Sequence, residues 1–89
     1  MWFVYILRCL DGTFYTGITT DVDRRVETHK SKKGSKYVAR RGVDKVLYTL
    51  CVESKQEAAQ IEYRVKQLEK FDKLAFFRTH ANLNYSAFK

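Results

Sequence analysis

The chain has no proline, only four glycines, and no apolar run long enough to span a bilayer. Without proline there is no rigid extended linker and no forced chain break, so its elements must be ended by caps and turns alone. The apolar stretch from Trp2 to Leu7 falls far short of the roughly 18 residues read as a membrane helix. It also lacks a basic leader and already alternates like a strand, so neither a membrane partner nor a secretory signal is expected. Cysteine is scarce as well. Cys9 and Cys51 form no CxxC pair and no Cys/His cluster, so no zinc site is expected. Two buried free thiols in a reducing compartment are expected instead, in the cytoplasm, or in the nucleus if the source is eukaryotic or viral.

Acid is missing from one place in particular. Between Lys30 and Arg41 lie six basic residues (Lys30, Lys32, Lys33, Lys36, Arg40 and Arg41) and no Asp or Glu. The rest of the chain carries eleven basic residues against ten acidic ones, so nearly all of the +7 net charge sits in that segment. Such a run is either a solvated loop or an anion-binding patch. Gly34, Ser35 and Tyr37 within it suit close backbone approach to phosphates and stacking on a base. Lys32, Lys33, Lys36, Tyr37, Arg40 and Arg41 are therefore the candidate nucleic-acid contacts.

What is present is one small α+β domain over residues 1–89. A chain of 89 residues supports one thin core and no more. Trp2 to Leu10 is a β-branched and aromatic run, apolar on both faces, and reads as a central strand. Asp11-Gly12 marks a hairpin turn, with Thr13 to Thr19 returning. Thr20 to Asp23 has the form of a helix start, and that helix is expected to reach about Lys30, with Val22, Arg25, Val26 and His29 sharing a face. The basic segment reads as a loop, at most with one helical turn. Val43 to Val52 is a third strand, with Val46, Tyr48, Leu50 and Val52 alternating on one side. Ser54-Lys55-Gln56-Glu57 is a capping box opening a helix to about Lys70, striped by Ala58, Ile61, Val65 and Leu68. A last helix is expected over about Lys73 to His80. The order ββαβαα gives a three-stranded, mainly antiparallel sheet flanked by helices.

The chemistry-bearing residues begin on the hairpin. Tyr5 and Tyr15 share a face only if the turn has three residues, Leu10 to Gly12, with Gly12 in a left-handed G1 bulge. That register pairs Tyr5 with Gly17 and Leu7 with Tyr15; a two-residue turn would send the tyrosines to opposite faces. Otherwise they are ordinary strand tyrosines. Arg25 and His29, one helical turn apart on an inward stripe, are uncommon there unless paired or functional; the ordinary alternative is a rim arginine and a satisfied histidine. Glu62 flanks the buried stripe of its helix. Lys66, one turn on, is its ordinary salt-bridge partner, but a carboxylate there is also what a magnesium site asks of a protein. Phosphodiester hydrolysis needs a base, a counter-charge for the dianion and a stabilised leaving oxygen, and these five residues supply the matching groups.

Phe3-Val4-Tyr5, then Tyr15-Thr16-Gly17, then Arg25, His29 and a helical Glu62 together resemble the GIY-YIG nuclease superfamily. The resemblance covers about residues 2 to 70 and is closest to the small stand-alone branch; the incision module of bacterial excision repair is a relative. Phe3 stands where the first motif glycine is expected and Thr16 where isoleucine is, and neither change removes a reacting group. The resemblance implies an endonuclease that hydrolyses phosphodiester bonds in DNA, branched or damaged, in repair or recombination. Its cofactor would be one divalent metal, magnesium or else manganese, bound by Glu62. Arg25 would hold the phosphate, Tyr5 and Tyr15 would position or deprotonate the attacking water, His29 would assist, and Gly17 is the motif glycine. Asn82 or Asn84 could correspond to further family residues. With no second domain expected in these 89 residues, a protein partner would be one source of specificity, and a further alternative is a nuclease subunit that needs a partner for targeting. The reading from another class is a non-catalytic nucleic-acid-binding module of the same fold.

Overall fold

The computed structural model describes residues 1–85, and side chains through residue 80. The elements run β1 (Trp2–Cys9), β2 (Phe14–Thr19), α1 (Val22–Lys30), α2 (Lys36–Arg41), β3 (Val43–Val52), α3 (Lys55–Lys66) and α4 (Lys70–Tyr85). The sheet order is β2-β1-β3, antiparallel throughout, with β1 in the centre. The α+β architecture expected from the sequence is therefore the one observed. Among the described residues no helix is long and apolar enough to cross a membrane.

The hairpin turn takes the three-residue form. Cys9 N–H donates to Thr13 O at 2.8 Å, Gly12 N–H donates to Cys9 O at 3.0 Å, and Gly12 sits at φ +85°. Only a residue without Cβ adopts that left-handed conformation cheaply. The resulting register pairs Tyr5 with Gly17 and Leu7 with Tyr15. Because side chains alternate along a strand, this one turn decides which side chains meet.

Each face of β1 has its own cluster. Val4 and Ile6 join Leu50, Val52, Ala58, Val65 and Phe77 under α3 and α4. Tyr5, Leu7 and Cys9 join Val38 on the other face, with Tyr15, Val43 and Val46 against them. Burying side chains such as Ile6, Val65 and Phe77 contributes about 1.5–3 kcal/mol each.

Four sequence expectations are corrected. The basic segment is not only loop: Ser35 caps α2 by accepting from Tyr37 N–H, and Val38 is fully buried, which anchors a helix too short to hold itself. The observed order is thus ββααβαα. In β3 the register slips between Ile6 and Leu7, whose partners are Tyr48 and Val46. The bulge at Leu47 sends Val46 to the tyrosine face, away from Tyr48, Leu50 and Val52. Helix α3 stops at Lys66, where Gln67 and Leu68 N–H turn back to Arg64 and Val65 carbonyls and Lys73 Nζ caps Leu68 O at 2.6 Å. The break lets α4 start at Lys70 and run to Tyr85, driving Phe77 onto Tyr48 in a stacked pair 6.3 Å apart. Finally, Cys9 is buried but Cys51 is only half-buried, with its thiol 3.6 Å from Met1 Sδ.

Candidate nuclease site on the hairpin face

Tyr5 lies across β2 at the one position that lets it pass. A Cβ built on Gly17 would fall on the Tyr5 hydroxyl and lie 2.6 Å from Cζ. The missing side chain is therefore the space the phenol occupies. Tyr5 is 1% exposed, and its hydroxyl is 2.9 Å from His29 Nε2.

His29 reaches that point because α1 is held at both ends. Asp21 caps its start by accepting from Arg24 N–H at 3.1 Å. Its end closes as a Schellman turn: Lys33 N–H bonds to Thr28 O and Lys32 N–H to His29 O, with Lys32 at φ 65°. The inward stripe expected from the sequence is the observed one, with His29 fully buried and Arg25 and Val26 half-buried.

Tyr15 completes the cluster. Its ring centroid is 6.3 Å from Tyr5 and 5.3 Å from His29, edge-on to the imidazole. Beyond it comes Tyr37 at 6.1 Å, and Arg41 Cζ lies 3.9 Å above the Tyr37 ring. Arg41 Nε is in turn 3.1 Å from Asp11 Oδ2 in the hairpin turn. A row of contacts thus runs from His29 across to the turn. It occupies Tyr37 and Arg41, two of the six candidate nucleic-acid contacts, with partners inside the fold. Lys32, Lys33, Lys36 and Arg40 are exposed.

The electrostatics tie the remaining two residues to the same phenol. Burial pushes the Tyr5 phenol up to about 12; the Arg25 guanidinium pulls it down, and the charges of Tyr15 and Glu62 raise it further. Arg25 Nε is buried with no hydrogen-bond partner among the described residues. The side chain borders a polar hollow of about 260 Å³ shared with Thr19, Thr20, Asp21, Arg24 and Thr28. Glu62 comes from α3, which packs on β1 and β2 from the opposite face. Its side chain is 23% exposed, and Oε2 is 3.4 Å from Lys66 Nζ. Of the five sequence-predicted residues, Tyr5, Tyr15 and His29 meet by ring contact and a hydrogen bond. Arg25 bears on the Tyr5 phenol from one turn earlier in α1, and Glu62, on α3, bears on it only as a charge. The side chains of Asn82 and Asn84 lie outside the described residues.

Burial, and after it the Arg25 charge, holds the His29 imidazole below its ordinary value near 6.5. The unfolded ring takes a proton as pH falls through about 6.5, while the folded ring resists until lower pH. The stability this contributes is complete above about pH 6.5 and is lost as pH falls through the folded value. Urea midpoints measured at pH 8 and pH 5 should therefore diverge less in His29→Gln than in the unsubstituted chain. An equal pH loss in both would remove His29 from the account.

One residue that the sequence reading set aside for close approach to phosphates has a different neighbour. Gly34 lies against the His29 ring, where a Cβ would sit 2.7 Å from Nδ1 and 3.0 Å from Cε1. Its φ is not in the left-handed region, so no local signal marks it.

The family model of the GIY-YIG catalytic domain matches residues 1–75. A UPF0213 protein of Streptococcus agalactiae is 46% identical over 80 residues, covering 90% of this chain and 91% of that one. A UPF0213 protein of Halobacterium salinarum is 47% identical over 74 residues, covering 83% and 96%. Among solved structures, the solution NMR structure of the UPF0213 protein BH0048 from Bacillus halodurans matches with TM-score 0.56 and 45% identity, covering 91% of this chain and 87% of that one.

Proposed function

The chain belongs to the GIY-YIG catalytic-domain family, and from that premise we propose that it is an endonuclease hydrolysing phosphodiester bonds in DNA with a divalent metal ion. The observation that carries the reading is the meeting of Tyr5 and Tyr15 of the hairpin with His29 of α1. Packing alone has no use for a guanidinium beside a buried tyrosine.

The roles follow from exposure. Tyr5 is sealed and committed to His29, so it orients the imidazole and lines the site wall. Tyr15 is half-buried on the same face and is the tyrosine open to an attacking water. It would position that water or take its proton. Arg25, with an unpaired buried Nε, would clamp the scissile phosphate and neutralise the developing dianion.

Among the described residues there is no group of three or more His, Cys, Asp or Glu to cage a metal. Magnesium does not need one, since it is commonly held by one or two carboxylates plus waters and substrate oxygens. Glu62 fits that demand: its carboxylate is partly exposed, and its ion-pair partner among the described residues is the exposed Lys66. When bound, the ion would supply Lewis-acid stabilisation of charge on the phosphate oxygens. Lys32, Lys33, Lys36 and Arg40 would contact the phosphates on either side. Substrate structure, and any protein partner that selects it, belong to the same proposal.

The test is to incubate the protein with labelled single-stranded, duplex and branched DNA, adding magnesium, manganese or EDTA. Cleavage with metal and none with EDTA is the expected result. Binding without cleavage on every substrate would leave a nucleic-acid-binding module. Binding itself should weaken with salt, at a slope of log K against log salt of roughly −3 to −4 for four phosphate contacts on duplex DNA. A slope near zero would remove the basic segment from the interface.

A further inference from the structure

We propose that Gly34 is a positioning residue for the Tyr5–His29 pair: its bare Cα closes on the His29 ring edge and holds Nε2 at the Tyr5 hydroxyl. The pair is confined at both ends by a residue without a side chain. Gly17 faces the Tyr5 hydroxyl, and Gly34 faces His29 Nδ1. Tyr15 closes the flank of the imidazole. His29 is 2% exposed, so its ring has no solvent side into which it can swing.

The chain delivers Gly34 there through the Schellman turn that ends α1, after which Ser35 caps α2. His29 Nδ1 is buried with no hydrogen-bond partner among the described residues. The ring is therefore oriented by one hydrogen bond at Nε2 and by contact at Nδ1. Since no positive φ is required at position 34, alanine is admissible to the backbone, and its cost falls on the imidazole alone. A ring displaced by a few tenths of an ångström or more lengthens the 2.9 Å bond to Tyr5, and misplacement of about 1 Å in a site can lower turnover about a hundredfold. Gly34 also sits between Lys33 and Lys36, so one segment offers cations outward and fixes the imidazole inward.

The turnover consequence rests on the nuclease reading; the steric claim does not. The experiment is a thermal double-substitution cycle with ¹⁵N NMR of the His29 ring. Gly34→Ala is expected to shift the ring nitrogens and to lower Tm by roughly 5–15 °C. In a His29→Ala background the same substitution should cost little, because the atoms it strikes are gone. If Gly34→Ala does not fold, recovery of a folded chain when His29→Ala is added supports the proposal, and failure to recover overturns it. Equal costs in both backgrounds, or unmoved ring shifts, also overturn it. On DNA, kcat should drop about a hundredfold with Kd unchanged; lost affinity with kcat intact would make Gly34 a binding residue instead. Should the unsubstituted protein cut nothing, the ring shifts and the thermal cycle still decide the steric claim, and only the nuclease reading is lost.

Discussion

Tyr15→Phe and Glu62→Gln are each expected to abolish most DNA cleavage while leaving DNA binding within a factor of a few. The first removes one oxygen from a ring that keeps its contacts to Tyr5, His29 and Tyr37. The second removes a charge from a partly exposed side chain and leaves its shape. Neither change touches Lys32, Lys33, Lys36 or Arg40, where affinity is assigned. A positioned proton-transfer group is worth roughly 10²–10⁴ in rate, so a thousandfold loss is the middle expectation for Tyr15→Phe. Because a lone carboxylate gives the metal its one protein ligand in this reading, Glu62→Gln should fall at least as far. Added manganese should restore less than a tenth of the loss. Single-turnover cleavage of end-labelled duplex and branched DNA, with Kd measured in EDTA, reads both quantities. Full activity in Tyr15→Phe would move the proton transfer elsewhere. Lost binding in Glu62→Gln would mean that the carboxylate supports the fold rather than the reaction.

Tyr5→Phe should behave differently, and the contrast separates the tyrosines. Its hydroxyl is spent on His29 and its phenol is pushed up to about 12. Such a group gives up a proton with difficulty near neutral pH. Its loss is felt through the orientation of His29, and so through stability as well as turnover.

How much of this was legible beforehand depended on the range over which each feature is decided. The hairpin register was legible only as a choice between a two-residue and a three-residue turn; the Gly12 φ and the Cys9–Thr13 bond take the second, and Tyr5, Tyr15 and Gly17 then have no freedom left. The inward stripe of α1 was legible from the spacing of Val22, Arg25, Val26 and His29. The α3 cap at Ser54 was legible too, its side chain accepting from Glu57 N–H at 3.1 Å. The end of α3 was not, because no glycine or proline marks it. It is settled by Phe77 finding Tyr48, a contact across 29 positions. The bulge at Leu47 is equally hidden, since it reflects two consecutive residues packing on one side of the sheet. Arg41 was misleading for the same reason: within its segment it is one more cation, and only the fold brings Asp11 to it from thirty positions away. Gly34 is the extreme case: its neighbours in sequence pointed to phosphates, and only the fold sets it against the His29 ring.

Gly17→Ala should be among the most damaging single-methyl changes in the protein. The added Cβ meets the Tyr5 hydroxyl and lies 2.6 Å from Cζ. A flexible surface side chain would swing aside, but Tyr5 is buried and its hydroxyl is bound to His29. Three relaxations are open: β2 moves away from β1, Tyr5 leaves its rotamer, or the Tyr5–His29 bond breaks. The first spends sheet hydrogen bonds and the second about 0.5–1.5 kcal/mol for a ~30° departure. The third leaves polar groups buried and unpaired, at about 1–3 kcal/mol. Overpacking of this kind typically costs about 1–3 kcal/mol, which in a domain of this size lowers Tm by roughly 5–15 °C. Cleavage should fall about a hundredfold or more even at temperatures where the chain is folded, because every relaxation displaces the hairpin face that carries the site. Tyr5→Phe in the same chain removes the nearest clashing oxygen and should return part of the lost Tm without returning activity. An unchanged Tm in Gly17→Ala, with cleavage intact, would mean that the phenol has room, and the site geometry proposed for Tyr5 would have to be abandoned.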